Sequence, residues 1–526
     1  MIAKSAFFRV TVFAAAIAFT HQPSFGQVRL LKHFSLTHSS QQQSLLPPSN
    51  SVSHIIVSDS TVWIGTSKGL ARSQNRGQTW ESFRSIPAFA DDGIFAVSVL
   101  DSLTWASTGF NEQISGGSVQ TGSGYAYSSN GGATWQHVNQ TLDALTDTLI
   151  LYGLDTLGAL PIVVPEQNVT FDISFSPGKV WIASWASGLR YTTNSGQTWQ
   201  RIILPPDTRD RIAPRDSSGG DTLRFYVDPR RNNNFLAFSV LAVDNDTIWC
   251  GTAGGVNKST NGGVSWARFT HQNQVSPILG NWVIAIKEQR FQNKRRIWTT
   301  NWIAENPNEL FGVSYTEDGG RTWRNLLHGK RAYDFAFKDS IAYIATDDGL
   351  YRTDNGGTSF TRSGTIIDPT TRERITTSSV FSVGVMGDTV WAGTDDGLVS
   401  TIDNATSPFG SSWKIFRTYQ QVGFSKTTYA YPNPFSPNSE ITRIHYGVPP
   451  PRGPVGDAAV TIEIFDFGMN FVRTIIRSAL RNGPGEYDEI WNGRDDGDRV
   501  IANGVYFYRV KVGGDEPVWG KVLVLR

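Results

Sequence analysis

The chain of 526 residues holds a single cysteine, Cys250. One thiol excludes an internal disulfide framework and a cysteine-based zinc cluster. Set in the run WCGT, it reads as a small buried apolar residue. Charge is also scarce: Asp, Glu, Lys and Arg make up 18% of the chain, against about 25% in an ordinary domain. The formal net charge is +1, so no global field draws the protein to nucleic acid or to an acidic membrane. Arg209, Arg211, Arg215, Arg230 and Arg231 give one insertion a basic cast, but Asp207, Asp210, Asp216, Asp221 and Asp228 balance it. Beyond the N-terminus no segment sustains the 3.6-residue apolar period of an amphipathic helix. No glycine-rich phosphate loop stands between a strand and a helix. The eight histidines are scattered without metal-ligand spacing, so neither a metal nor a cofactor is expected.

What the chain has instead is aromatic: 12% Phe, Trp and Tyr, with 17 Trp. Many of these follow a recurring turn. SQNRGQTW ends at Trp80, SSNGGATW at Trp135, TTNSGQTW at Trp199, STNGGVSW at Trp266 and TEDGGRTW at Trp323. TDNGGTSF ends at Phe360, and a worn SPFGSSW ends at Trp413. The grammar is Ser/Thr-x-Asn/Asp-x-Gly-x-Thr/Ser-Trp. The Asn or Asp side chain can accept from backbone N–H groups of its own turn. The Gly supplies a positive φ. The Trp returns a large apolar surface to a packed layer. Copies in register at this scale signal a repeat architecture.

Each turn closes a longer unit. A short alternating apolar run is followed by an aromatic-rich run such as VWIGT or VWAGT, then a Gly turn, a run such as GLYRT, the Asn/Asp-Gly turn and a Trp-led run. Such runs, rich in Val, Ile, Trp, Tyr and Thr and bounded by Gly, Asp and Asn, read as strands. Each unit is then four strands, A to D, joined as a meander. The closing aromatics are spaced about 56 residues apart on average, and Trp323 and Phe360 only 37, close to a bare four-stranded blade. The reading is an all-β protein: a seven-bladed β-propeller over residues 51–420, with a solenoid of strands as the alternative fold.

The turn resembles the Asp-box, or BNR, repeat of sialidases, sortilin-type receptors and photosystem II assembly propellers. WAGTDDGL and its kin are also similar to propeller repeats in the sensor regions of bacterial two-component regulators. The box is a structural turn in these families, so the resemblance implies a fold and not an activity.

The turns all join strands C and D, so they share one end of the units. Extra length falls elsewhere: 108–123 and 301–312 join B to C, and 139–168 and 204–234 join D to the next A. The large insertions are expected on the face opposite the turns, and loops on a rigid scaffold are where binding usually lives. The residue four after the strand-B aromatic opens the B–C connection of every unit. It is Ser67, Gly109, Trp185, Ala253, Trp302, Asp347 and Asp395. Trp185, Trp302, Asp347 and Asp395 are the candidate ligand-binding residues at the channel mouth, suited to a sugar or a peptide. The same four also fit structural roles, with the Trp packed under insertions and the Asp-Asp-Gly pairs serving as turns.

The ends have their own grammar. Residues 1–27 read as a secretory signal peptide: Lys4 and Arg9, an apolar stretch from Val10 to Ala18, and a small-x-small site at Ser24-Phe25-Gly26. That stretch is too short to span a bilayer, so no transmembrane segment is expected in the mature chain. No Cys follows it, which excludes a lipoprotein anchor. Residues 28–50 form a polar lead-in. From 428 to 526, alternating strands with Asp-Gly and Asn-Gly turns predict a small β-sandwich. There YPNPF, IFDFGMNFVRTI and WNGRDDGDRVIANGVYFYRV resemble the immunoglobulin-like domain of flagellar hook-capping proteins. The same order, closing on KVLVLR, is similar to the C-terminal sorting domain of type IX secretion cargo. That resemblance implies secretion through the type IX machinery to the medium or the outer-membrane surface of a Gram-negative bacterium.

The expected function is therefore an exported, non-catalytic propeller that binds a glycan, a peptide or a cell-surface protein, with no nucleic-acid partner and no catalytic residues assigned. The alternative is a secreted glycoside hydrolase of the Asp-box type. Sialidases clamp a carboxylate with three arginines and carry Arg-Ile-Pro ahead of the first box. Here Arg84-Ser85-Ile86-Pro87 is interrupted and follows the first box. An ordinary glycosidase needs two carboxylates about 5–10 Å apart, for which Asp347 and Asp395 are the candidates.

Overall fold

Seven antiparallel meanders follow one another along the chain, each four consecutive strands paired in sequence order, with one extra strand added to the first and to the fourth. The third is typical: Thr170–Ser176, Lys179–Ser184, Gly188–Thr192 and Gln200–Arg201. The structure, a computed structural model, describes residues 42–526 except 85, 91, 115–116, 372, 419–427, 439, 449–456, 483–484 and 526. The segment read as a signal peptide, 1–27, and most of the lead-in lie outside the described residues. No α-helix occurs among the described residues, only two short 3-10 turns. None of its helices is long and apolar enough to cross a membrane.

The second strand of each meander carries the Trp-rich run and is buried along most of its length, as in Thr61–Thr66 and Ile248–Thr252. Cys250 lies within one of these strands, fully buried, and burial pushes its thiol pKa up. Branched and aromatic side chains suit such a strand because both of its faces pack against neighbouring sheets.

The repeated turn connects strands C and D of one sheet and packs against the sheet before it. In the first sheet Gly77 N–H donates to Ser73 Oγ (2.8 Å), Thr79 N–H to Asn75 Oδ1 (2.9 Å), and Asn75 Nδ2 to Thr79 Oγ1 (2.8 Å). The same bonds recur around Asn130, Asn194, Asn261, Asp318 and Asn355, with Asp318 accepting from the Thr322 hydroxyl in place of donating. The second turn glycine has a positive φ, for example +79° at Gly77, and it lies against the preceding sheet: Gly77, Gly132, Gly196 and Gly263 meet its strand-B Trp, whereas Gly320 meets Phe269 and Gly357 meets Leu326. A Cβ on Gly77 would stand 2.6 Å from Trp391 Cη2 of the seventh sheet. The closing Trp then meets the preceding sheet's strand-B Trp edge to face: Trp80 on Trp391 (6.2 Å), Trp135 on Trp63 (6.3 Å), Trp199 on Trp105 (6.2 Å) and Trp323 on Trp249 (6.3 Å). Burying one indole is worth about 5 kcal/mol of transfer free energy as an upper figure.

The ring closes between the last sheet and the first. Val52 N–H donates to Thr394 O (2.8 Å), and Val52, Ile55, Trp80, Trp391 and Phe416 share one core. This closure, with antiparallel four-stranded sheets throughout, is that of a β-propeller.

The insertions do not all stay opposite the turns. Segments of 139–168 and 204–234 pack with Trp181 and Trp266 in a core between the third and fourth sheets. Tyr152 Oη reaches Val264 O (2.7 Å), inside the fourth sheet's turn. The expected confinement to the far face fails because these long loops carry apolar residues, Leu157, Ile212 and Leu223 among them, that find burial along the sheet flank.

C-terminal to the propeller, two antiparallel sheets enclose a second core. One pairs Tyr429–Tyr431, Thr442–Val448 and Gly485–Trp491, and the other runs from Phe471–Asn482 through Asp457–Phe465 and Gly504–Val512 to Val518–Val524. Ile444, Tyr446 and Trp491 from the first face Ile462, Tyr508 and Val522 from the second. This pair of sheets touches the propeller through Arg443, whose guanidinium donates to Thr376 Oγ1 (3.0 Å) and lies 3.6 Å from buried Asp396.

Candidate functional site

The innermost strand of five propeller sheets begins with an irregularity, and that irregularity helps to build the site. Register shifts leave Ser53, Phe95, Phe171, Phe238 and Tyr333 unpaired between two bonded neighbours. Such a bulge turns one side chain away from the sheet stack. Ile284 and Phe381 hold the matching place just before the inner strands of the fifth and seventh sheets. All seven line a central cavity of about 800 Å³.

Five of those seven positions are aromatic, and with Trp282 and Trp302 standing in at the fifth sheet their rings touch in sequence. Phe95 meets Phe171 (6.2 Å), Phe171 stacks on Phe238 (5.5 Å), and Phe238 meets Trp282 (5.3 Å). Trp282 meets Trp302 (5.6 Å), Trp302 meets Tyr333 (5.6 Å), and Tyr333 meets Phe381 (5.2 Å). The band stops at the first sheet, where Ser53 stands in place of an aromatic. The gap is polar: Ser51, Ser67, Asp92, Asn111 and Gln120 also line the cavity there. Asn111 and Gln120 come from the long hairpin of the second sheet, Leu103–Ile114 with Gly117–Ser128.

Just behind the bulged residues a belt of polar groups ties neighbouring inner strands together. Ser53 Oγ donates to Ile94 O (3.2 Å), Ser107 Oγ to Thr170 O (2.7 Å), Ser239 Oγ to Val283 O (3.3 Å) and Ser382 Oγ to Val52 O (3.4 Å). At the other junctions charged groups act. Asp172 accepts from Val240 N–H (2.9 Å), and Asp334 accepts from Val383 N–H (3.1 Å). Lys287 Nζ donates to Phe335 O (3.0 Å) and pairs with Asp334 (2.6 Å). Desolvation raises the Asp172 carboxyl to a pKa of about 7, and it lowers the His54 imidazole to about 4, leaving it neutral. Both residues border the cavity.

The four candidates from the sequence divide. Trp302 lines the cavity, donates Nε1–H to Ala332 O (2.9 Å) and carries the Arg331 guanidinium 5.9 Å from its ring. Trp185 sits behind the band, in ring contact with Phe171 (6.4 Å) and Phe238 (6.3 Å). Asp347 accepts from Arg331 N–H (3.1 Å), spanning its own sheet's entry. Asp395 faces a separate cleft beside Pro432, Glu440 and Arg494 of the C-terminal sheets. Neither Asp347 nor Asp395 is among the residues lining the central cavity.

No family model matches the chain. No curated protein matches it either. Solved structures do. An ancestral GH74 enzyme is 16% identical with a TM-score of 0.50, over 92% of this chain and 64% of its own. PorZ, a surface component of the type IX secretion system of Porphyromonas gingivalis, is 14% identical with a TM-score of 0.39, over 90% of this chain and 66% of its own. YCF48 from Cyanidioschyzon merolae is 15% identical with a TM-score of 0.38, over 67% of this chain and 92% of its own. The chain thus spans about two thirds of the length of PorZ and of the GH74 enzyme. The fold is a β-propeller. At these identities the likeness reaches no further than fold.

The aromatic band was within reach of sequence reasoning. The strings IFAV, TFDI, AFSV and VFSV place Phe at one fixed point ahead of four of the seven Trp-rich strands. Strict alternation hides it, because a bulge sends that Phe to the cavity instead of the sheet interface. The strand-B position four residues on was the more visible landmark, and it selects the rim.

Proposed function

We propose that this protein is an exported, seven-bladed Asp-box propeller that binds its ligand in the central cavity and carries out no chemistry of its own. The cavity lining carries this reading: all seven sheets present a side chain from the start of the inner strand, five of them from a bulge, to a shared space of about 800 Å³, a volume within the range of small-ligand sites. The C-terminal pair of sheets is then an immunoglobulin-like sorting domain of the type IX kind, residues 428–526, with 1–27 as the signal peptide. The partner belongs to the outer-membrane surface or the medium. Trp302 is the one rim candidate that also lines the cavity. Trp185 supports the band from behind, and Asp347 and Asp395 belong to the rim.

The glycoside hydrolase alternative has one observation in its favour: Asp172 and Asp334, with Asp92, border one cavity. Asp172 and Asp334 are engaged by backbone N–H groups of the next sheet, and Asp334 is also paired with Lys287, which suits a structural belt.

The whole chain should be screened against glycans, peptides and outer-membrane extracts, reading both retention and cleavage, beside a Trp302→Ala/Tyr333→Ala variant. Retention by the parent that falls at least tenfold in the variant is expected, since truncating a central aromatic anchor typically costs 1–3 kcal/mol. Retention unchanged in the variant would move the binding site off the cavity. Cleavage lost in Asp172→Asn would establish the enzyme. For the address, deleting 428–526 is expected to strand the protein inside the cells of a type IX-competent host. Export unaffected by that deletion would remove the sorting role.

A further inference from the structure

The cavity has two chemically distinct sides, and together they narrow its ligand. On one side lies a nearly continuous band of aromatic rings from the second sheet round to the seventh. On the other, at the first and second sheets, Asp92, Asn111 and Gln120 reach the same space and make no side-chain hydrogen bond among the described residues. An aromatic band offers broad apolar contact at little conformational cost. Free amides and a carboxylate offer paired donors and acceptors. A ligand that uses both must have an apolar face and a hydroxyl-rich edge in one rigid unit.

We propose that the cavity is a glycan subsite, taking an uncharged hexopyranose unit whose C–H face lies on the aromatic band and whose hydroxyls meet Asp92, Asn111 and Gln120. This rests on the binding reading above and names the class of ligand at the same site. Two observations separate it from other occupants. A peptide held by its main chain needs free backbone partners, but inner-strand carbonyls at Ile94, Thr170, Val283 and Val52 are already taken by serine hydroxyls of adjacent sheets. An anionic sugar needs a free cation. Lys287, the one Lys or Arg lining the cavity, is committed to Asp334 and Phe335 O, and His54 is neutral at pH 7. Asp92 would repel a carboxylate or sulfate.

The test uses the full chain and immobilised oligosaccharides in three sets: neutral hexose oligomers, uronic-acid oligomers and sialylated oligomers, with a random peptide display library alongside. Tryptophan emission is read in parallel, because Trp282 and Trp302 border the site. The expected result is retention of at least one neutral oligomer with a change in emission. That retention should weaken about tenfold in Trp302→Ala and again in Asn111→Ala/Gln120→Ala, a hairpin variant far from any core. Circular dichroism checks that each variant keeps its fold. Retention of peptides alone, lost in the same variants, would overturn the glycan assignment while keeping the cavity as a binding site. Retention of anionic oligomers alone would overturn the charge argument and with it the assignment. No retention of any class, or retention indifferent to every cavity variant, would overturn both the glycan assignment and the binding reading.

Discussion

The two ends of a propeller sheet do opposite things with the same repeat. At the turn end, six sheets make the same hydrogen bonds with the same residue types, and each sets a glycine against the preceding sheet's aromatic or aliphatic side chain. At the cavity end, the seven equivalent positions hold Ser, four Phe, Ile and Tyr, and the belt behind them mixes serines, carboxylates and a lysine. The turn must solve one problem seven times, which is how to lock a sheet to its neighbour. Apart from Ser53, which itself bonds Ile94 O, the side chains at these cavity-end positions have no such duty, since the belt already ties the inner strands. Repetition thus marks what holds the ring together, and variation marks where a ligand can be recognised.

The sharpest way to break that contrast is at the joint between the first sheet and the last. Gly77→Ala puts a Cβ 2.6 Å from Trp391 Cη2 at a backbone φ of +79°. Strain and overpacking together are expected to cost about 3 kcal/mol. Equilibrium denaturation should show that loss, with ligand retention unchanged at temperatures where the ring is closed. A loss under about 0.5 kcal/mol would mean that the turn is decoration. Asn261→Ala in the fourth sheet comes next. It removes the acceptor for Ser265 N–H (2.9 Å) and the donor to Ser265 Oγ (2.9 Å). About 1–2 kcal/mol is expected, because this turn is partly solvent-exposed and water replaces some of what is lost. An equal cost for Asn261→Asp, which keeps the acceptor as Asp318 does in the fifth sheet, would contradict the role assigned to the carbonyl oxygen.

The same contrast explains what could be read in advance. The turn end was legible because hydrogen-bonding side chain, glycine and Trp are fixed in type and spacing, so meander sheets follow from the pattern alone. The belt was not, since Ser53, Asp172, Lys287 and Asp334 look like ordinary strand polar residues until the ring brings neighbours together. The flank insertions misled for a related reason. Loop length shows that a segment leaves the sheet, but Tyr152 and Leu157 find their partners only in three dimensions. Among the rim candidates, Trp302 reaches the cavity because its sheet carries Ile284 at the equivalent position, and Trp282 and Trp302 fill the band there. Trp185 is screened from that space by Phe171 and Phe238.

The belt predicts a pH signature. Asp172 has its carboxyl pKa raised to about 7 by desolvation, so the native state holds this proton more tightly than the unfolded chain does. Its contribution to stability is therefore greatest below the ordinary carboxylate range and is lost as pH rises towards 7. The bonds from Val240 and Ile173 N–H to the carboxylate offset part of the desolvation, and about 2 kcal/mol is the scale expected. Asp172→Asn keeps one acceptor for Val240 N–H, forfeits the bond from Ile173 N–H (2.8 Å), and carries no charge. Relative to the parent, the variant should gain about 2 kcal/mol between pH 4 and pH 8. Denaturation at the two pH values measures that difference directly, and a variant-minus-parent stability flat with pH would show that Asp172 is ionised at no cost.

The smallest expected effect is the most informative about the cavity. Phe381→Ser gives the seventh sheet the residue that the first already carries at Ser53. Phe381 is half-buried, and among the described residues its ring contact is with Tyr333 at 5.2 Å. If that position is free of structural duty, the belt bond from Ser382 to Val52 O survives and the ring loses about 1 kcal/mol or less, well under the 3–5 kcal/mol of a core Phe truncation. The polar gap then widens from the first sheet into the seventh. Retention of a ligand lying on the band should fall several-fold while the unfolding transition barely moves. A stability loss as large as that of Gly77→Ala would erase the difference between the two ends, because it would make the aromatic band a second set of joints holding the sheets together.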